Sequence, residues 1–246
     1  TGDAGLLAAV EQQWETTVAR RTYLTGGMGS LHDGEAFGDD FVLPADRAYS
    51  ETCAGVASVM LSWRLLLATG KPRYADLIER TLYNVLATGV APDGRSYFYT
   101  NTLHQRLAGP APAADRLHPR PESSLRAPWF AVSCCPTNIA RTFASLAAYF
   151  ATADDGGIQL HQYADCEIRT VLADGSPVRL DVRTGYPDEG AVSVGVNETG
   201  GAPRLALVEQ VVTTIEFDLD LGQPLGRFGG QPGAIAGRGE QRLFLG

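Results

Sequence analysis

Three of the chain's four cysteines fall in two short clusters, Glu51-Thr52-Cys53 and Ser133-Cys134-Cys135-Pro136. Each cluster stands at the start of an apolar, periodic stretch, so thiols and a carboxylate gather at the N-terminal ends of two predicted helices. Three soft sulfur donors and one carboxylate form a ligand set that zinc accepts. Zinc deprotonates the thiols it binds, leaving each as a structural ligand or a nucleophile. At the front of a buried helix, neither a carboxylate nor a thiolate is stable without a positive partner, and a metal supplies one. The plainer reading makes Cys53 a small buried hydrophobe and Glu51 a first-turn acid favoured by the helix dipole. A disulfide framework is a further use of the same residues. Adjacent cysteines do not readily bridge each other, so it would pair Cys53 and Cys166 with separate members of the doublet.

Other residues suit proton transfer or sugar binding. Glu35, in Gly34-Glu35-Ala36-Phe37, is flanked by small and aromatic residues. A carboxyl in such a pocket has a raised pKa and suits a general acid near neutral pH; a solvated loop carboxylate is the alternative. His32, Tyr97, Tyr99 and His104 suit hydrogen bonding to sugar hydroxyls, or simple packing. Gly26-Gly27-Met28-Gly29 resembles a phosphate loop only weakly, since no Lys-Ser or Lys-Thr follows it. Neither Gly-x-Ser-x-Gly nor His-Glu-x-x-His occurs.

The elements that must position these residues are legible in the periodicity. Leu6 to about Arg20 repeats apolar residues at helical spacing, with two arginines at its end. Tyr23 to Asp46 has no period and is dense in Gly, Asp and Pro, which predicts a long ordered loop of the functional kind. A helix from Thr52 to Thr69, apolar on most sides, reads as buried between other helices and stops at Gly70. A third helix, Arg73 to Ala87, follows so short a turn that it must pack antiparallel on the second. Ser96 to Tyr99 is a short β-like run, and residues 107–128 are an Ala-, Pro- and Arg-rich excursion with no core pattern. Thr137 or Asn138 reads as the cap of a fourth helix with Ile139, Phe143, Leu146 and Phe150 on its apolar face.

Near residue 155 the period changes to two. Residues 158–163, 167–171, 178–182 and 191–196 alternate apolar and polar between Asp-Gly and Pro-rich turns, predicting an antiparallel sheet, half of a sandwich. The organisation is α+β: a mainly helical domain over 1–153 and a β domain over 154–246, with Gln223 to Glu240 expected to be poorly ordered.

A net charge of −8, from 28 acidic against 20 basic residues, argues against a nucleic-acid partner and suits a neutral one. No apolar run approaches the roughly 20 residues of a membrane span. The N-terminal residues show no signal-peptide pattern, which gives a cytoplasmic expectation.

Taken together, Thr25-Gly-Gly-Met-Gly-Ser30, Gly34-Glu-Ala-Phe37, Leu43-Pro44, Tyr49-Ser-Glu-Thr-Cys53, Trp129-Phe130 and Cys134-Cys-Pro-Thr-Asn-Ile-Ala-Arg141 resemble the β-L-arabinofuranosidases of glycoside hydrolase family 127. The likeness covers about residues 20 to 200. It implies an (α/α)6 barrel carrying the active site, followed by β-sandwich domains, and a carbohydrate substrate containing arabinofuranoside. It also implies zinc held by Glu51, Cys53, Cys134 and Cys135, with Cys134 as nucleophile, Glu35 as general acid/base and Tyr99 as an active-site tyrosine near the nucleophile. His32 is a second candidate for substrate binding.

Family members are much longer. The first half of the barrel has no counterpart before Thr1, and beyond Leu207 the sandwich continuation is replaced by Val208 to Ile215 and a Gly-rich end. The resemblance therefore implies a piece of a longer domain, with a homodimer or a partner chain as possible sources of the missing barrel half. Two other classes of function remain. One is a carbohydrate-binding or interaction module built on a structural Cys3Glu zinc site. The other is a cysteine hydrolase pairing Cys134 with His104 or His161.

Overall fold

The computed structural model describes residues 2–104, 125–154, 157–199, 205–207 and 214–219. The excursion at 107–124, the replaced segment at 208–213 and the Gly-rich end from 223 lie outside them. The chain divides into two compact units, Thr1–Leu146 and Ala147–Gly246. The division precedes the change of period near 155 because Ala151–Asp154 is already a strand.

Four α-helices occur among the described residues of the first unit: α1 Ala4–Arg21, α2 Thr52–Thr69, α3 Arg73–Thr81 and α4 Cys134–Ala144. Asp3 caps α1 by accepting from the Leu6 amide at 3.0 Å. Trp14 anchors this helix: its indole donates to Ser62 Oγ on α2 at 2.9 Å and its ring meets Tyr74 of α3 edge-on at 4.6 Å. Arg73 lies over both rings, while Glu11 accepts from Lys71 and from the Tyr74 hydroxyl.

Gly70 ends α2 with φ 65°, its amide donating to the Leu66 carbonyl at 2.7 Å. Gly55, near the start of α2, faces Thr81, Val85 and Leu86 at the far end of α3 and its continuation, so the pair is antiparallel as expected. That continuation, Leu82–Ala87, is a π-helical turn.

The burial of α2 is one-sided. Val56, Val59, Leu65 and Leu66 are in the core, but Met60, Leu61 and Leu67 are exposed, which corrects the expectation of burial on most sides. By length and apolar content alone α2 reaches the lower limit of a membrane span, a test that a buried core helix also passes, and 44% of that stretch is buried.

In the first unit β1 (Ser96–Tyr97) pairs antiparallel with β2 (Ala127–Pro128). In the β unit, β3 (Ala151–Asp154), β4 (Gly157–Leu160) and β8 (Leu205–Leu207) form one sheet, and β5 (Cys166–Val171), β6 (Pro177–Thr184), β7 (Ala191–Thr199) and β9 (Thr214–Leu219) form another. The pairs β5–β6 and β6–β7 are antiparallel, as the alternation predicted. The pairs β4–β8 and β7–β9 are parallel. The purely antiparallel expectation therefore fails where strands join through crossovers instead of hairpins. Ile158, Leu160, Tyr163, Leu180, Val182, Val192 and Val194 share one apolar core across both sheets.

His161 is buried beside this core, its Nε2 2.8 Å from Thr152 Oγ1, and burial pushes its pKa down to about 4. The unfolded chain binds the extra proton between that value and the ordinary histidine pKa of about 6.5, so stability is complete above that range and falls as the pH drops through it. Between pH 7 and pH 5 the wild type should lose on the order of 2 kcal/mol more stability than His161→Gln in thermal unfolding; equal pH slopes in the two proteins would contradict this role.

Candidate active site

The site is assembled in the first unit from two helix N-termini and the segment leading into α2. Pro136 occupies the first turn of α4, where its missing amide donor costs nothing, so the helix starts at Cys134 itself. The expected caps act otherwise. Thr137 Oγ1 donates to the Ser133 and Cys134 carbonyls, and Asn138 Nδ2 donates to Cys53 Sγ at 3.0 Å.

Residues 49–52 are held between two other segments. The Ser50 amide donates to the Gly29 carbonyl at 2.8 Å and the Glu51 amide to the Met28 carbonyl at 3.2 Å. On the other side, the Thr52 amide donates to the Tyr99 carbonyl at 3.0 Å, and Asn101 Nδ2 donates to the Ser50 carbonyl at 2.9 Å.

The glycine motif makes this fit possible. A Cβ on Gly27 would lie 1.9 Å from Ser50 Oγ, and one on Gly29 (φ 96°) 3.1 Å from Tyr49 Cδ1. Its function here is close backbone approach. The loop beyond is tied down by Arg20 and Arg21 to Asp40 and by the Tyr23 hydroxyl to the Pro44 carbonyl.

This scaffold brings three of the four predicted metal ligands together. The sulfurs of Cys53, Cys134 and Cys135 all lie within 4.8 Å of one another, with Cys134–Cys135 at 3.6 Å and Cys53–Cys135 at 4.0 Å. Zinc–sulfur distances of about 2.3 Å in a tetrahedron put sulfurs roughly 3.8 Å apart, so the spacing fits a zinc site. All four cysteines are free, which removes the disulfide reading.

Glu51 stands outside that set of mutually close donors but acts on it directly. Burial, then the negative charges of Cys53 and Glu35, push its carboxyl up to about 7. Hydrogen-bonding interactions with Cys135 and Asn138, opposed by burial, bring the Cys53 thiol down to about 6. The interaction with the Cys53 sulfur, then burial, drives Cys135 well above the ordinary thiol range, and burial with the Cys53 charge raises Cys134. One negative charge is accommodated and further ionisation is opposed, the condition a bound cation relieves.

Beyond the sulfurs lies an aromatic and carboxylate group. The Tyr99 hydroxyl donates to Glu35 Oε1 at 3.0 Å. Tyr49 packs edge-on to Tyr99 at 6.0 Å and to His32 at 5.1 Å. Burial, followed by the neighbouring Tyr99, Glu35 and Glu51, holds the Tyr49 hydroxyl protonated far above its usual range. Glu35 sits on a 3-10 turn, Asp33–Glu35, with φ 51°. It is exposed, which corrects the expectation of an enclosed carboxyl.

Tyr97 turns instead to the Gly94 carbonyl at 2.7 Å, and His104 is exposed. His161 is engaged with Thr152 in the second unit. Sequence reading missed Tyr49, which stands two residues ahead of Glu51 in an extended lead-in. It also misassigned Asn138, which lies on the same α4 face as the doublet once the helix begins at Cys134.

The chain is similar in sequence and fold to known proteins. A solved family 127 β-L-arabinofuranosidase from Geobacillus stearothermophilus T6 superposes with a TM-score of 0.76 at 38% identity, covering 84% of this chain and 32% of that one. A second solved family 127 β-arabinofuranosidase gives a TM-score of 0.72 at 33% identity, over 84% of this chain and 30% of that one. The model of the β-L-arabinofuranosidase, glycoside hydrolase family 127 catalytic domain matches residues 1–148, and the chain belongs to this family. It is also 38% identical over 212 residues to the non-reducing end β-L-arabinofuranosidase of Bifidobacterium longum subsp. longum, a match covering 84% of this chain and 31% of that protein. The chain thus spans about a third of the length of the relatives it matches.

Because Gly29 combines a left-handed φ with contact against Tyr49, Gly29→Ala should destabilise the first unit by about 1–3 kcal/mol. Gly94→Ala, with φ 69° and open space around its Cβ, carries the backbone cost alone and serves as the control. Equal melting temperatures for the two variants would contradict the packing role of Gly29.

Proposed function

We propose that the chain carries the thiol and acid/base half of a retaining β-L-arabinofuranosidase site. The observation that carries this reading is the convergence of three thiols with the Glu51, Tyr49, Tyr99 and Glu35 group in a chain of this family. The first unit is then a portion of an (α/α)6 barrel and the second a β-sandwich domain. Cys53, Cys134, Cys135 and Glu51 would hold zinc, which when bound keeps the reacting thiol ionised at neutral pH.

Cys134 suits the nucleophile because it is a half-buried residue while Cys135 is fully buried. Its thiolate attacks the anomeric carbon as Glu35 gives a proton to the leaving oxygen, so the C–O bond breaks and a C–S bond forms. Glu35, now a carboxylate, takes a proton from water whose oxygen displaces the sulfur and returns the thiolate. Two inversions give net retention. Tyr99, donating to Glu35, orients that carboxyl, and Tyr49 and His32 buttress the tyrosine. The substrate class is a glycan ending in β-L-arabinofuranose.

Hydrolysis of a chromogenic β-L-arabinofuranoside by the full chain, followed by NMR of the released sugar, should show retained configuration. Cys134→Ser and Glu35→Gln should each lower kcat/KM at least about 100-fold. A mechanism-based arabinofuranose electrophile should add once per chain, at Cys134. An unchanged rate in Cys134→Ser with labelling elsewhere would sink the nucleophile assignment and leave the cluster as a structural zinc site.

A further inference from the structure

Asn138 is polar and sits within the second turn of α4, where asparagine is a poor helix former because its side chain competes for the backbone. Its backbone carbonyl accepts from Thr142 Oγ1 at 2.8 Å, so the main chain is ordinary helix and only the side chain leaves it. That side chain crosses to another element. Asn138 Nδ2 donates to Cys53 Sγ at 3.0 Å, joining α4 to the start of α2 across 85 residues of sequence.

Asn138 follows Cys134 by four residues and Cys135 by three, so it shares their face of the helix. The sulfur it engages is nevertheless the one on the other helix. An N–H donor fixes the direction of a sulfur lone pair and draws electron density from it, which makes that sulfur a poorer nucleophile and holds its geometry as a ligand.

We propose that Asn138 is the positioning residue of the thiol cluster: its amide pins Cys53 in the ligand role and so leaves Cys134 as the sulfur that reacts. Only the role given to Cys134 rests on the glycosidase reading; the effect on zinc binding does not.

The test uses the full chain with zinc as the probe, in competition with a chromophoric chelator. Asn138→Ala and the near-isosteric, uncharged Asn138→Leu should each weaken zinc binding by about 10–100-fold. In the zinc-loaded wild type iodoacetamide should modify Cys134 first, and in Asn138→Ala it should also modify Cys53. The wild type supplies a readout that does not depend on either variant folding: loaded with 113Cd, it should show scalar coupling between the metal and an Asn138 side-chain amide proton, transmitted through the Cys53 sulfur. Zinc affinities within twofold of wild type in folded variants, or no such coupling in the wild type, would overturn the proposal. Weakened zinc binding in a chain without glycosidase activity would overturn only the catalytic reading. Unchanged zinc binding in an active glycosidase would overturn only the role of Asn138.

Discussion

Three sulfurs within 4.8 Å of one another cannot all carry charge unless a cation stands among them, and the first unit is built around that constraint. Burial opposes the charge on Glu51 and Cys134, and the Cys53 charge opposes it on Glu51, Cys134 and Cys135, with Glu35 adding to the effect on Glu51. Three devices inside the fold ease a single ionisation: the contact of Cys135 with Cys53, the amide of Asn138 on Cys53, and the N-terminal turns of α2 and α4, where sulfur meets the positive end of a helix. None of them balances three thiolates. A divalent metal with soft-donor affinity does, and the 3.6 and 4.0 Å sulfur separations match the edge of its tetrahedron.

The scaffold can be understood as the means of keeping α2 and α4 in register at their starts. Cys53 is placed by a lead-in whose amides and carbonyls are taken up on both sides, by Met28 and Gly29 and by Tyr99 and Asn101. Glycine is needed where those backbones press closest, against Ser50 and Tyr49. The same lead-in passes through Tyr99 to Glu35, so the thiols and the acid/base candidate are positioned by one set of hydrogen bonds. Trp14 and Glu11 then tie α1 to α2 and α3, at residues separate from the site.

Much of this was legible in the sequence, and the failures have identifiable causes. The helices, the long loop and the doubly alternating strands followed from periodicity because burial of one face dictates residue spacing. The cap-like Thr137-Asn138 pair points to a later start for α4 than the Cys134 start that proline's tolerance in a first turn allows, and that later start conceals the bond from Asn138 to Cys53. Parallel pairing of β8 and β9 was invisible because strand alternation reports which face is buried, not which neighbour is chosen. Glu35 was identified as a candidate from its neighbours, but its exposure depends on which segments of the chain close over it, a tertiary property with no local signature.

Every role given to the thiol cluster depends on the metal coordination. X-ray absorption at the zinc edge of the full chain, loaded to one equivalent, should resolve three sulfur neighbours at about 2.3 Å and one oxygen at roughly 2.0–2.2 Å. A shell of nitrogen and oxygen alone, or a chain that binds no zinc while its three thiols remain titratable, would contradict it.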